Sequence, residues 1–199
     1  MRKFVVATKN NGKLKEISEI LKDFPFEVIS MEKIGILKDI EEYGTTFQEN
    51  ALIKAEEIYK LTGELVMADD SGIEVDYLDG APGIYSARFA GIDATDEEKN
   101  NKLIKLLYGV EFERRTARFV CAIAVVLGEE NYFTVKGVCE GYIGLEPKGI
   151  NGFGYDPLFF IPEFNMTTAQ MSSEDKHKIS HRGKALRYMV EELKKRVSI

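Results

Sequence analysis

Apolar residues fall along this chain in two rhythms. Short unbroken runs mark buried strands: Phe4 to Ala7, Phe26 to Ser30, Leu65 to Ala68 and, most rich in β-branched residues, Arg118 to Leu127. Between them, apolar positions recur at helical spacing. Leu14, Ile17, Ile20 and Leu21 predict a helix over Lys13 to Leu21. Thr46 is placed to cap a second helix, with Glu49 three residues on to complete a capping box. That helix runs through Ala51, Leu52, Ala55, Ile58 and Leu61 and stops at Gly63. Thr95 opens a third, ending near Gly109. Lys184 to Val197 closes the chain as an amphipathic helix with Leu186, Met189, Val190, Leu193 and Val197 on one face. Tyr132 to Glu140 and Gly141 to Leu145 read as further strands, suited to an antiparallel section beside a parallel one. Asn10 to Gly12 is a turn, Gly72 to Gly91 a long surface loop ahead of which the Leu65 strand ends on Asp69 and Asp70, and Gly149 to Pro157 a second glycine-rich loop. Strand, turn, helix, strand is the opening of an α/β unit, and the whole pattern predicts an α/β fold with a mixed sheet.

Composition narrows this picture. A chain of 199 residues with 44% hydrophobic side chains can bury a real core as one domain over residues 1–199, with room for two lobes. A net charge of −6 argues against a protein that coats a nucleic-acid backbone, which calls for a basic surface. It leaves open a small polyphosphate, which needs only a local cluster of cations and a metal. Cys121 and Cys139 sit in apolar or strand-like runs without a CxxC pattern, so they read as buried free thiols suited to a reducing cytoplasm. The apolar run before Thr8 is too short for a signal peptide, and no stretch approaches the ~20 apolar residues of a membrane span. A soluble intracellular protein with no membrane partner is expected.

Four polar clusters stand out against this background. The first, Thr8-Lys9-Asn10-Asn11-Gly12-Lys13, lies between a strand and a helix, where unpaired backbone N–H groups favour an anion. It lacks the GxxxxGK[ST] pattern of a Walker loop, and the bland alternative is an ordinary turn with a surface lysine. The second is Ala68-Asp69-Asp70-Ser71-Gly72. Two adjacent carboxylates after a buried strand are costly unless a divalent metal, or a water to be deprotonated, compensates them. Glu41 and Glu42 offer more metal oxygens, although alone they read as solvated surface. In the third, Gly152-Phe153-Gly154-Tyr155-Asp156-Pro157, small residues let a flat ligand approach and the aromatic rings offer stacking, with Asp156 an acceptor for a base N–H. A tight turn with two core aromatics explains the same pattern. The fourth, Lys176-His177-Lys178-Ile179-Ser180-His181-Arg182-Gly183-Lys184, gathers both histidines among other donors. Basic residues after a capping Ser180 oppose the helix dipole, which favours a functional role over a plain helix start. A triad of His181, Ser71 and Asp156 is conceivable, but no GxSxG elbow accompanies it.

Taken in order, six motifs resemble the inosine triphosphate pyrophosphatase family, also called Ham1 or RdgB-like. They are Ala7 to Lys13, Thr46 to Ala51, Ala68 to Gly72, Gly80 to Arg88, Phe153 to Pro157 and Ser180 to Arg182. Lys9 departs from the family, which often has glycine there. The resemblance implies an elongated mixed β-sheet flanked by helices, two lobes with a cleft between them, and a homodimer. It implies hydrolysis of ITP, dITP or XTP between the α and β phosphates, with Mg2+, Mn2+ or another divalent ion. Thr8, Lys9, Asn10, Asn11, Gly12 and Lys13 would then hold the triphosphate, and Ser71 would contact substrate. Glu42 and Asp70 would bind the metal, with Glu41 an alternative to Glu42. Asp70, or Asp69 beside it, would activate the attacking water. Phe153, Gly154, Tyr155, Asp156, Lys176, His181 and Arg182 would surround the nucleoside. A Maf-like pyrophosphatase for other altered nucleotides and a non-catalytic nucleotide-binding regulator are the competing readings.

Overall fold

The computed structural model describes residues 2–8, 11–37 and 40–197. In chain order its elements are β1 (Arg2–Val6), α1 (Asn11–Ile20), β2 (Phe26–Ser30), α2 (Phe47–Thr62), β3 (Leu65–Val75), α3 (Asp96–Leu107), β4 (Thr116–Gly128), β5 (Asn131–Ile143), β6 (Phe159–Ile161), β7 (Met166–Thr167), α4 (Ser173–Ile179) and α5 (His181–Arg196). The strands lie in the order β2-β1-β3-β4-β5-β6-β7. β1 pairs in parallel with β2 and β3, as in Val5 opposite Ile29 and Val66. β5 with β6, and β6 with β7, are antiparallel. The sheet is therefore mixed and the fold α/β.

The chain forms two compact units, the first from residues 1–70, 121–137 and 184–199, the second from residues 71–120 and 138–183. In the first, alternate strand residues bury on one face of the sheet: Phe4 and Val6, Leu65 and Met67, Ile123 and Val125. A two-residue strand period puts these side chains on a common surface. Ile17 and Leu21, with Leu186, Met189 and Leu193 of α5, complete that core. In the second unit Ile73 and Val75, Ala117 and Phe119, and Phe159 and Ile161 do the same, joined by Leu103 and Leu107 of α3.

Several elements differ from the sequence reading. β3 does not end at Asp69 and Asp70 but carries them, Ser71 and Gly72 onward to Val75, so the loop expected from Gly72 begins only after that. Two 3-10 turns, Asp76–Leu78 and Gly83–Arg88, then give that loop structure of its own. The two strands expected over Tyr132 to Leu145 are one, Asn131–Ile143. Gly141 is no break, since a Cβ there would meet the Phe160 carbonyl oxygen at 2.6 Å, so the missing side chain admits the neighbouring strand. The polar run from Ser172 is a short helix, capped by the Ser172 side chain. Thr46 does cap α2, but Glu49 reaches the backbone N–H of Thr45 rather than that of Thr46, at 2.6 Å. The full reciprocal box forms at Thr95 and Glu98.

Ile123 is wholly buried in the first core. Ile123→Ala is expected to lower unfolding free energy by roughly 2–5 kcal/mol, read as a shifted midpoint in urea with an unchanged slope.

Candidate functional site

In the first unit, chemistry gathers where β3 turns polar. Asp69 and Asp70 are half-buried in the middle of a strand whose preceding four residues are buried. α2 supplies what such carboxylates require. Asn50 is only 1% exposed, and its Nδ2 donates to Asp70 Oδ2 at 3.2 Å while its Oδ1 accepts the Gly44 N–H at 2.9 Å. One turn on, Lys54 Nζ donates to the Asp69 carbonyl oxygen at 2.6 Å and pairs with Glu42 Oε1 at 2.8 Å. Asn50 and Lys54 are four residues apart and so share a helix face. Together they tie the segment from Glu42 to Gly44 to the acidic step of β3. Glu42 is the glutamate brought to Lys54, whereas Glu41 is exposed. Thr8 is buried just beyond β1, its N–H on the Val6 carbonyl at 2.8 Å. Asn11, Gly12 and Lys13 form the first turn of α1, which contains no acidic residue and so presents unopposed helix N–H groups. Lys9 and Asn10 lie outside the described residues.

The donor set fits a hard cation. The two ligands expected from the sequence, Glu42 and Asp70, are both carboxylates, the oxygen donors that magnesium takes together with waters and substrate phosphates. Among the described residues no cluster of three or more His, Cys, Asp and Glu side chains forms a protein-only cage.

In the second unit a hollow is lined by Ser71, Gly72, Phe119, Ser180 and the whole predicted set from Phe153 to Asp156 with Lys176, His181 and Arg182. Phe153 stands in it 59% exposed, with the Lys176 ammonium and the Arg182 guanidinium each 5.7 Å from its ring centre. Arg182 also donates to Ser71 Oγ at 3.2 Å. The His181 ring stacks on Phe119, centroids 4.8 Å apart and 17° from parallel. Tyr155 is buried and donates its hydroxyl to the Ser86 carbonyl at 2.8 Å. Burial, reinforced by the charge of Asp96, pushes that phenol well above its ordinary pKa, so it stays a neutral donor.

Asp156 is 3% exposed and acts as the knot of the loop. Its Oδ2 accepts the Phe153 N–H at 2.9 Å and pairs with Lys176 Nζ at 2.5 Å, while Oδ1 accepts the Thr168 hydroxyl at 2.8 Å. With these partners and no bond to His181, it does not complete a His181–Ser71–Asp156 triad. Gly183 lets α5 start against α4: a Cβ there would collide with the His177 carbonyl oxygen, and its N–H donates to Ser180 Oγ at 3.0 Å. Ser180 thus caps α5 from His181 onward, three residues earlier than Lys184.

Sequence reasoning missed Asn50, Lys54, Phe119 and Ser86. The available signal was on α2, where two polar residues at helical spacing interrupt the stripe of Ala51, Ala55 and Ile58.

Gly152 has φ +79°, and a Cβ on it would strike Asp156 Oδ2 and come within 2.9 Å of Lys176 Nζ. Gly152→Ala is expected to cost ~1–3 kcal/mol in a thermal melt, through backbone strain and the displaced ion pair, and to weaken ligand binding in this hollow.

A sequence model of the Ham1 family matches residues 4–192. A protein of Bacillus licheniformis named "dITP/XTP pyrophosphatase" is 51% identical over 187 residues, 94% of this chain and 95% of that one. One of the same name from Caldanaerobacter subterraneus subsp. tengcongensis is 52% identical over 198 residues, 99% of this chain and 98% of its own. Among solved structures, a HAM1 protein from Coxiella burnetii superposes with a TM-score of 0.93 at 41% identity, covering 98% of this chain and 100% of that one.

Proposed function

This chain belongs to the Ham1 family, and from that premise we propose that it is a pyrophosphatase for non-canonical purine nucleoside triphosphates. It hydrolyses ITP, dITP and XTP to the nucleoside monophosphate and pyrophosphate, and so clears them from the pool that feeds DNA and RNA synthesis. The names of its relatives favour this over a Maf-like substrate range or a regulator without turnover. The observation that carries the chemistry is the acidic step of β3 with its α2 partners, Asn50 on Asp70 and Lys54 on Glu42 and Asp69.

In this scheme the first turn of α1 and the residues before it, Thr8 to Lys13, hold the triphosphate through backbone N–H groups and Lys13. Glu42 and Asp70 hold a divalent ion, Mg2+ first, which when bound neutralises charge on the phosphates and on the departing pyrophosphate. Asn50 orients the Asp70 carboxylate. Asp70, with Asp69 beside it, takes a proton from water as that water's oxygen bonds the α-phosphorus. The bond from that phosphorus to the bridging oxygen breaks, and pyrophosphate leaves with the electron pair. Ser71 contacts the substrate.

The hollow of the second unit takes the nucleoside. Phe153 stacks on the base, with Gly154 and Tyr155 shaping the wall and Asp156 fixing Lys176. Lys176, His181 and Arg182 offer donors to the oxygen at C6 of hypoxanthine or xanthine. Adenine carries an amino group there and would lose those hydrogen bonds, at ~1–3 kcal/mol each. The chain works as a single domain of two units, as a homodimer, in the cytoplasm. Among the described residues no helix is long and apolar enough to cross a membrane.

Pyrophosphate release from ITP, dITP, XTP, GTP, ATP and dTTP, with magnesium and with EDTA, tests the assignment. Rapid EDTA-sensitive release from the first three with little from ATP or GTP is expected; orthophosphate release, or preference for a standard nucleotide, would move the chain to another hydrolase class. Asp70→Asn should keep the fold and lower kcat by roughly a hundredfold or more, and a near-parental kcat would remove Asp70 as the base.

A further inference from the structure

The nucleoside hollow owes its floor to a loop whose peptide groups are held from α3. Gly154, at φ +61°, sits between Phe153 and Tyr155. Its N–H donates to Asp96 Oδ2 at 2.6 Å and its carbonyl oxygen accepts from Asn100 Nδ2 at 3.0 Å. Asp96 and Asn100 are four residues apart and share a face of α3, so one helix turn grips the glycine on both sides. That turn is anchored by the reciprocal Thr95–Glu98 cap.

Beside this clamp the loop faces open space. An open cavity of about 420 Å³ lies there, lined by Asp96, Asn100, Gly152, Phe153 and Gly154. The Phe153 N–H is held by Asp156 Oδ2, and the peptide groups of the next residue, Gly154, by Asp96 and Asn100. The clamp is built to last. Asn100 is 6% exposed and spends its Nδ2 on the Gly154 carbonyl oxygen, while its Oδ1 is buried without a hydrogen-bond partner among the described residues. Burial works against the Asp96 charge, but the bonds from Lys99 and Gly154 outweigh it and keep the carboxyl ionised below its ordinary range.

We propose that Asp96 and Asn100 are positioning residues for nucleoside recognition: by fixing the Gly154 peptide they set the Phe153 ring against Lys176 and Arg182, and neither touches the substrate. This rests on the hollow being the nucleoside's place. Two consequences separate it from a purely structural role. Loss of the clamp weakens the nucleoside end alone, and it frees Phe153 whether or not any nucleotide is present.

The test measures ITP kinetics in Asn100→Ala, Asp96→Ala and Asp96→Asn beside the parent, with inorganic pyrophosphate as a competitive probe of the phosphate end. Each alanine variant should raise KM for ITP about threefold to tenfold, with kcat within about twofold and pyrophosphate inhibition unchanged. Asp96→Asn keeps an acceptor for the Gly154 N–H and should restore most of the KM. The chain contains no tryptophan, so Phe153→Trp installs a single reporter in the loop. In that background Asn100→Ala and Asp96→Ala should lower its fluorescence anisotropy without ligand. Parental KM and unchanged anisotropy in both alanine variants would overturn the proposal, as would pyrophosphate inhibition weakened as much as ITP binding. Should the parent fail to turn over ITP, the functional assignment falls, while the ligand-free anisotropy still decides whether α3 holds the loop. Asp96 is half exposed, so its alanine variant serves if Asn100→Ala does not fold.

Discussion

Two carboxylates in the middle of a strand set the terms for the first unit. Taking ionised groups out of water costs several kcal/mol per ion unless partners offset it. At Asp70 part of the offset comes from α2, through the nearly sealed Asn50 amide, while Lys54 reaches the Asp69 backbone oxygen and the distant Glu42 carboxylate. Those same partners draw the chain between Glu42 and Gly44 inward. Asn50 thus answers the Asp70 carboxylate, and Lys54 joins the β3 backbone to Glu42, at positions where a plain amphipathic helix would carry apolar residues.

The second unit solves a different problem. The wall proposed to take the base must be flat, open to solvent on one face and still rigid. Here rigidity comes from side chains that bond to backbone. Asp156 ties Phe153 and Thr168, Tyr155 ties Ser86, and Asn151 donates to the Met171 carbonyl at 2.9 Å. Asp156 was read from sequence as an acceptor for the base, yet its oxygens already serve the loop and Lys176.

The fold was legible wherever one physical signal dominated. Apolar runs mark β1, β2 and β4, and apolar spacing marks α1, α2 and α5, whereas α4 is a polar run that carries no such spacing. β3 was cut short because a strand is recognised by what it buries, and Asp69, Asp70 and Ser71 are tolerated only through partners far away in sequence. β5 was split at Gly141 because a glycine in a sequence looks like a turn, whereas here it makes room for β6. The site was legible as types of residue in an order that resembles a family. Asn50 and Lys54 were not, because each is an ordinary helix residue until the strand opposite is known. Glu41 and Glu42 are equivalent in sequence; only the reach of Lys54 tells them apart.

Gly183 sets the corner between α4 and α5, where the only substituent that fits against the His177 carbonyl is a hydrogen atom. Glycine codons differ only at their third base, and every single-base change that alters the amino acid introduces a β-carbon or a stop. The gene therefore has no amino-acid-changing point mutation at this codon that leaves the corner undisturbed. The bend that aims Ser180, His181 and Arg182 thus has no neighbour in the genetic code that keeps its geometry.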